Sequence, residues 1–288
     1  MKERVFWILL SIIGLSWIAN YLYADAKRLE VPVFLDHFVD TTMNDENYLT
    51  FYYLTNKDDL SQVNYVHINK AMGYVERDIG FSTGMPTDIQ SFRHSVLRKI
   101  TVLVNNAALE YHAGDGDFKF NEMEVFFSDY RDVKADIGEV ILKQPPPSSE
   151  SDDPLNAVSW GGSTRGDSFT GFNVYEPLQV EAITLAIPQL NDRLTFKLSG
   201  GDPAQQTKDG KGLPLKELQF PIRLKQGQQF NVTTYFGDST DYVESSYAVS
   251  GRTDSGETFQ TIGTFLHEPY LTQADVQEIS KRKRMDGQ

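Results

Sequence analysis

Few side chains in this chain have the type and spacing that chemistry requires. The five histidines, His37, His67, His94, His112 and His267, are far apart, and no two have the spacing with which a helix presents a metal. Asp36-His37 with Asp40 offers acid–base or metal-ligating groups, but one short cluster satisfies no ligand geometry. The same residues fit a polar strand end. Asp115-Gly116-Asp117, followed by Asn121 and Glu122, hints at calcium. Lys119 stands where an EF-hand loop needs an oxygen ligand, and the closing glutamate is missing, so a tight Asp-Gly turn is the better reading. Asp129, Asp132 and Asp136 would line one helical face, yet carboxylates without partners read as a solvated face.

The chain contains no G-x-S-x-G elbow, no H-E-x-x-H, no Walker loop and no G-x-G-x-x-G following a strand. It has no cysteine, which excludes disulfides, thiolate metal sites and a cysteine nucleophile. No catalytic, cofactor-binding or metal-binding residue is therefore expected. Trp160, beside Gly161-Gly162, is the candidate ligand contact, because an exposed ring can stack on a sugar or anchor a protein. In a β-sandwich most aromatic rings are core, and that is the competing account of Trp160. Asn231-Val232-Thr233 fits the glycosylation pattern but falls inside an expected strand. Lys281-Arg282-Lys283-Arg284 could meet anionic lipid or a polymer, but also suits the negative end of a helix.

What must position these groups begins with Val5–Tyr23, a run without a charged residue. At about 1.5 Å per residue it spans roughly 28 Å, enough for a hydrocarbon core. Trp17, Tyr21 and Tyr23 cluster at its far end, where amphipathic rings favour a membrane interface. A cleaved signal is the rival. Lys2 and Arg4 give a basic start and Ala24-Asp25-Ala26 has the A-x-A form, but the run is longer than a usual signal core. An uncleaved anchor is expected, contacting the bilayer through residues 5–23. Basic residues on the two sides nearly balance. The N-terminal amine tips the reading toward a cytoplasmic N-terminus and an extracytoplasmic body.

The net charge of −13 argues against a nucleic-acid partner. Hydrophobic residues at 40% and aromatics at 12% suffice for real cores. In Gln144–Pro154 (QPPPSSESDDP) three consecutive prolines cannot donate to a ladder or a helix, and the stretch reads as a linker between halves of roughly 115 residues each, the alternative being a long exposed loop of one elongated sandwich. Tyr48–Leu54 and Val63–Ile68 read as one hairpin, Phe220–Leu224 with Gln229–Phe236 as another, and Tyr242–Arg252 with Thr258–Leu266 as a third. Helical character returns only at Gln273–Arg284, where Thr272 and Asp275 form a near capping box.

The expected fold is mainly β: an N-terminal transmembrane helix, two tandem β-sandwich-like domains and a short C-terminal helix. The boundaries are 1–29 for the anchor and its exit, 30–143 for the first domain and 144–154 for the linker. The second domain occupies 155–270 and a basic helical tail 271–288. The function expected is non-catalytic binding or assembly at the cell envelope, with an envelope polymer or a membrane protein as partner. The alternatives are an exported hydrolase built on dispersed carboxylates, which would show two buried carboxyl groups across a cleft, and an accessory subunit of a membrane complex.

Overall fold

The structure, a computed structural model, describes residues 2–25, 27–69, 71–75, 87–105, 109, 116–145, 153–162, 166–202, 212–237 and 239–285. Ala26, Asp115, His112 and most of the proline-rich stretch lie outside the described residues.

Helix α1 (Lys2–Asp25) is apolar on every side, and none of its span Glu3–Tyr23 is buried by the rest of the chain. By length and composition that span can cross a membrane, properties that a signal sequence shares.

The body is mainly β. Its strands in the first half are β1 (Val33–Phe34), β2 (His37–Thr42), β3 (Glu46–Asn56), β4 (Val63–Ile68), β5 (Ala71–Val75), β6 (Thr87–Ser91), β7 (Ser95–Asn105), β8 (Phe118–Phe127) and β9 (Asp132–Lys143). Those in the second are β10 (Leu155–Gly162), β11 (Asp167–Val174), β12 (Leu178–Leu185), β13 (Thr195–Ser199), β14 (Leu213–Pro214), β15 (Ile222–Leu224), β16 (Gln229–Tyr235), β17 (Tyr242–Thr253) and β18 (Thr258–His267). Helix α2 (Gln273–Met285) comes last.

Two sheets result among the described residues. One has 13 strands and runs β1-β3-β7-β5-β4-β8-β9-β2-β17-β12-β15, with β6 added to β7 and β18 to β17. The other is β10-β11-β16-β13-β14. Alternation explains the elements directly. In β18 every second side chain is buried, as a strand with one solvated face requires.

Strand β2 joins the halves. It lies parallel to β9, with His37 opposite Gly138, and parallel to β17, with His37 opposite Tyr242. The chain reaches it from β1, which lies along β3: Phe34 pairs with Tyr53 and the Leu35 N–H bonds the Tyr52 carbonyl at 3.0 Å. There the backbone leaves β3, and the Tyr52 N–H loses its backbone partner. The His37 Nε2 accepts it instead, at 2.8 Å. Gly138 permits the approach on the other side; it has φ +84°, and a Cβ there would lie 2.5 Å from the His37 carbonyl oxygen.

Buried apolar residues form two clusters. One holds Phe34, Phe51, Leu97, Val125 and Val140 of the first half together with Leu271, Val276 and Ile279, so α2 packs back on the beginning of the chain. The other holds Phe172, Phe196, Phe230 and Tyr247, between the five-stranded sheet and β12, β17 and β18. Phe38 and Ile141 of the first half belong to this second cluster. The capping box of α2 is formed: the Thr272 N–H bonds Asp275 Oδ2 at 2.6 Å, and the Asp275 N–H bonds Thr272 Oγ1 at 3.3 Å.

The β17–β18 hairpin forms as expected. The other two do not. β3 pairs with β1 and β7, while β4 pairs with β5 and β8. β15 joins β12 in the large sheet, while β16 lies between β11 and β13 in the small one. In both cases the polar turn carries the chain elsewhere instead of folding it back on its neighbour.

Candidate functional site

A cavity of about 810 Å³ opens between β10, β18, the start of β17 and the segment after β18. Its walls come from both halves: Asp40, Tyr52, Gln90 and Lys99 from the first, Trp160, Glu244, Glu268 and Tyr270 from the second.

Trp160 sits on β10, an edge strand, opposite Thr170 of β11. It is 79% exposed, and Tyr270, on the same cavity, is 74% exposed. Leu266 and Ile89, both on the lining, are also exposed. Phe172, Phe196 and Phe230 of the sheet that carries Trp160 are buried, whereas these two rings stand in water beside a concavity.

The floor is polar and held in place. The Tyr52 hydroxyl donates to Glu268 Oε1 at 2.8 Å, and Lys99 Nζ approaches the same oxygen at 3.4 Å. Lys99 Nζ also stands 5.7 Å from the Tyr52 ring centre. The Tyr242 hydroxyl donates to Glu244 Oε2 at 2.7 Å. The Tyr52 and Tyr242 rings lie 5.3 Å apart. Burial, then the hydrogen bond and charge of Glu268, push the Tyr52 hydroxyl far above its ordinary range. Burial, then the charge and hydrogen bond of Glu244, do the same to Tyr242. Both phenols therefore remain neutral donors. Each leaves the second oxygen of its carboxylate outside these bonds, where it can accept from a ligand hydroxyl.

Asp40 is the buried carboxylate of the wall. Lys143 Nζ pairs with its Oδ1 at 2.7 Å, and the Ser246 hydroxyl donates to its Oδ2. Glu244 and Glu268 are exposed. Two buried carboxyl groups facing each other, the arrangement a hydrolase would need, are not what these three residues make.

The segment after β18 closes one side. The Gln90 amide bonds both backbone groups of Leu271, accepting from its N–H at 2.9 Å and donating to its carbonyl at 3.3 Å. The side chain thus acts as one rung of a ladder and fixes Glu268–Tyr270 over β6 and β7.

The other residues singled out by type are dispersed. The Asp36-His37 and Asp40 group is structural: Asp36 meets Arg282 at 3.1 Å, His37 accepts the Tyr52 N–H and Asp40 holds Lys143. Asp36 and His37 stand at the start of β2, as a strand-end reading expects, but that strand lies inside the large sheet and His37 and Asp40 are buried. Asp117 accepts from the Gln144 N–H at 3.4 Å, and Glu122 pairs with Lys134 at 2.8 Å. Asp129 belongs to a turn, and Asp132 and Asp136 to β9, so they share no helical face. Asn231 is within β16. Among the described residues no group of three His, Asp or Glu side chains could hold a metal. Glu268, Tyr270 and Gln90 carried no signal beyond Pro269, which ends a strand and leaves its neighbours on a surface segment.

No protein-family model matches the chain, and no curated protein does. Among solved structures, the SGBP-B protein of a Bacteroides ovatus mixed-linkage glucan utilization locus, in complex with a mixed-linkage heptasaccharide, aligns at 13% identity with a TM-score of 0.20. The alignment covers 80% of this chain and 42% of that one. The Enterococcus faecalis MSCRAMM ACE, which binds its ligands by the collagen hug model, aligns at 10% identity and TM-score 0.21, over 85% and 96% of the two chains. The Vibrio cholerae secreted serine protease VesC aligns at 9% and 0.20, over 90% and 55%. The chain thus spans less than half of the first structure and about half of the third. At these TM-scores the likenesses carry no argument about function.

Proposed function

We propose that this is a single-pass membrane protein that holds a polymer-binding cleft on the extracytoplasmic side, with α1 as an uncleaved anchor and its N-terminus in the cytoplasm. The observation that carries the reading is the pair of exposed rings, Trp160 and Tyr270, at the edge of a cleft whose floor is a set of fixed hydrogen-bonding groups. Aromatic faces stack on the C–H faces of sugars, and oriented carboxylates accept from their hydroxyls. Asp40, Glu244 and Glu268 outnumber Lys99 on the lining, so the cleft suits a neutral or amino-sugar polymer and rejects a polyanion.

The test is affinity electrophoresis of the detergent-solubilised full-length chain through neutral glucans, amino-sugar polymers and polyuronates. Retardation by one of the first two classes is expected. Trp160→Ala should weaken it at least about tenfold, or ~1.4 kcal/mol. Retardation by polyuronates alone, or binding indifferent to both Trp160→Ala and Tyr270→Ala, would sink the assignment of the cleft. Protease shaving of cells carrying a C-terminal tag tests the orientation separately. A tag protected until lysis would place the body in the cytoplasm.

A further inference from the structure

The segment after α1 is fixed to the body almost at once. Leu29 is buried, and the Asn56 side chain clamps its backbone, accepting from the Leu29 N–H at 2.9 Å and donating to its carbonyl at 2.8 Å. Arg28 pairs with Asp58 at 2.8 Å. Four residue steps separate Asp25, where α1 ends, from Leu29, and at most about 3.6 Å each they reach roughly 14 Å. A body held on so short a tether cannot rise away from the bilayer that α1 would span.

Beside Leu29 two turns project, one between β3 and β4 and one between β8 and β9. Their tips are apolar or aromatic and open to solvent: Leu60 is 85% exposed and Tyr130 98%. The turns are locked together. Arg131 Nη2 bonds both Asp59 oxygens, at 3.1 and 2.9 Å, and Ser61 Oγ at 2.8 Å. The Ser128 N–H reaches the Gln62 carbonyl at 2.7 Å, and the Gln62 N–H reaches Ser128 Oγ at 3.0 Å. Tyr130 has φ +67°, a left-handed conformation that glycine or asparagine would adopt at less cost. Nothing inside the fold is gained by a tyrosine there, since the ring makes almost no contact with it.

We infer that the turns at residues 57–62 and 128–131 form a bilayer-contact platform, in which Leu60 and Tyr130 enter the headgroup zone of the membrane beside the exit of α1. Leucine inserts as an apolar side chain, and tyrosine suits the level where one end is apolar and the other wet. The charges at the platform are mixed. Arg28 and Arg131 face Asp58, Asp59, Asp129 and Glu30, so attraction to anionic lipid is not what seats it. Contact should be the same with zwitterionic lipid and survive high salt. The inference rests on α1 being an anchor.

The test uses the absence of cysteine. Single cysteines at Leu60→Cys, Tyr130→Cys, Ile13→Cys within α1 and Asp254→Cys at the far tip of the β17–β18 hairpin are labelled with an environment-sensitive fluorophore. Each full-length variant is placed in nanodiscs of zwitterionic lipid, with nitroxide quenchers carried either at the headgroup or deep in the acyl chain. Expected are a blue shift and loss of intensity to the headgroup quencher at positions 60 and 130, unchanged in high salt. Deep quenching is expected at position 13, and a water-like signal at 254. Water-like signals at 60 and 130 with position 13 quenched would overturn the platform and leave the anchor standing. A water-like signal at position 13 would overturn both. Loss of the 60 and 130 signals in high salt would replace insertion by charge adsorption and overturn the inference.

Discussion

Replacing His37 by leucine tests whether a side chain completes the main sheet. The ring is fully buried, and its Nε2 accepts the Tyr52 N–H at 2.8 Å where the backbone passes from β1, on the flank of β3, into β2. Accepting through Nε2 requires that nitrogen to carry no proton. Leucine fills much of the same space between Phe51, Tyr52 and Tyr242, whose ring centres lie 5.2, 6.5 and 5.7 Å from the imidazole. Packing loss should therefore stay below about 1 kcal/mol. What leucine cannot replace is the acceptor. An orphaned buried N–H costs about 1–3 kcal/mol, so the sum centres at about 2.5 kcal/mol. For a body of this size that lowers Tm by about 5–10 °C. Thermal unfolding followed by circular dichroism in mild detergent would read it. His37→Gln, whose amide oxygen can accept, should recover about half of the loss. A leucine variant within about 0.5 kcal/mol of the parent protein would refute the reasoning, because the N–H would then have found another partner.

Three further perturbations draw on the same geometry. Gly138→Ala places a Cβ 2.5 Å from the His37 carbonyl oxygen at φ +84°, so it should cost about 2–4 kcal/mol in the same melt, and a neutral result would contradict the close approach of β2 to β9. Burial pushes the Asp59 carboxyl up, but hydrogen bonds from Ser61, Arg131 and Thr55 outweigh it and hold the group well below its ordinary 3.8. Its contribution is complete above that value and lost as pH falls below it, so Asp59→Asn should lower Tm at pH 7 and flatten the acid limb of a Tm–pH curve; an unchanged limb would remove Asp59 from the account. Burial pushes His267 below its ordinary 6.5, against the upward pulls of the Ser239 carbonyl, Asp241 and Glu268. The unfolded chain then takes up the proton first, stability is lost as pH falls below about 6.5, and His267→Gln should make Tm less sensitive between pH 7 and 5.

How much of this could be read from the residues alone depends on whether the signal was local. The β17–β18 hairpin announces itself through two long runs with Asp254-Ser255-Gly256 between them. The α2 cap needs only Thr272 and Asp275. Pairing between distant strands leaves no such mark. Val63–Ile68 comes after Tyr48–Leu54 across a polar turn and looks like its partner, yet tertiary packing sends it to β5 and β8. Strand β2 is harder still. Its polar residues suggest a surface, and they are buried because each has a partner that the sequence cannot place: Tyr52 for His37, Lys143 and Ser246 for Asp40. At the candidate site Trp160 stood out by its type. Tyr270 and Glu268 did not, because their position depends on a chain end that folds back over β6 and β7.

That return of the chain end is also why the cleft belongs to neither half alone. Tyr52 and Lys99 orient Glu268 from beneath, Gln90 clamps Leu271, and Leu271, Val276 and Ile279 anchor the segment in the first core. Trp160 faces this assembly from the edge of the other sheet. The two sides keep their distance through β2, hydrogen-bonded on one flank to β9 and on the other to β17. His37 therefore matters to the cleft without lining it. It completes the backbone bonding of Tyr52, whose hydroxyl holds Glu268, and it fixes the start of the strand that carries Asp40. A ligand held between Trp160 and Tyr270 would bridge both halves across that strand, so its affinity should report the integrity of the junction as well as the presence of the two rings.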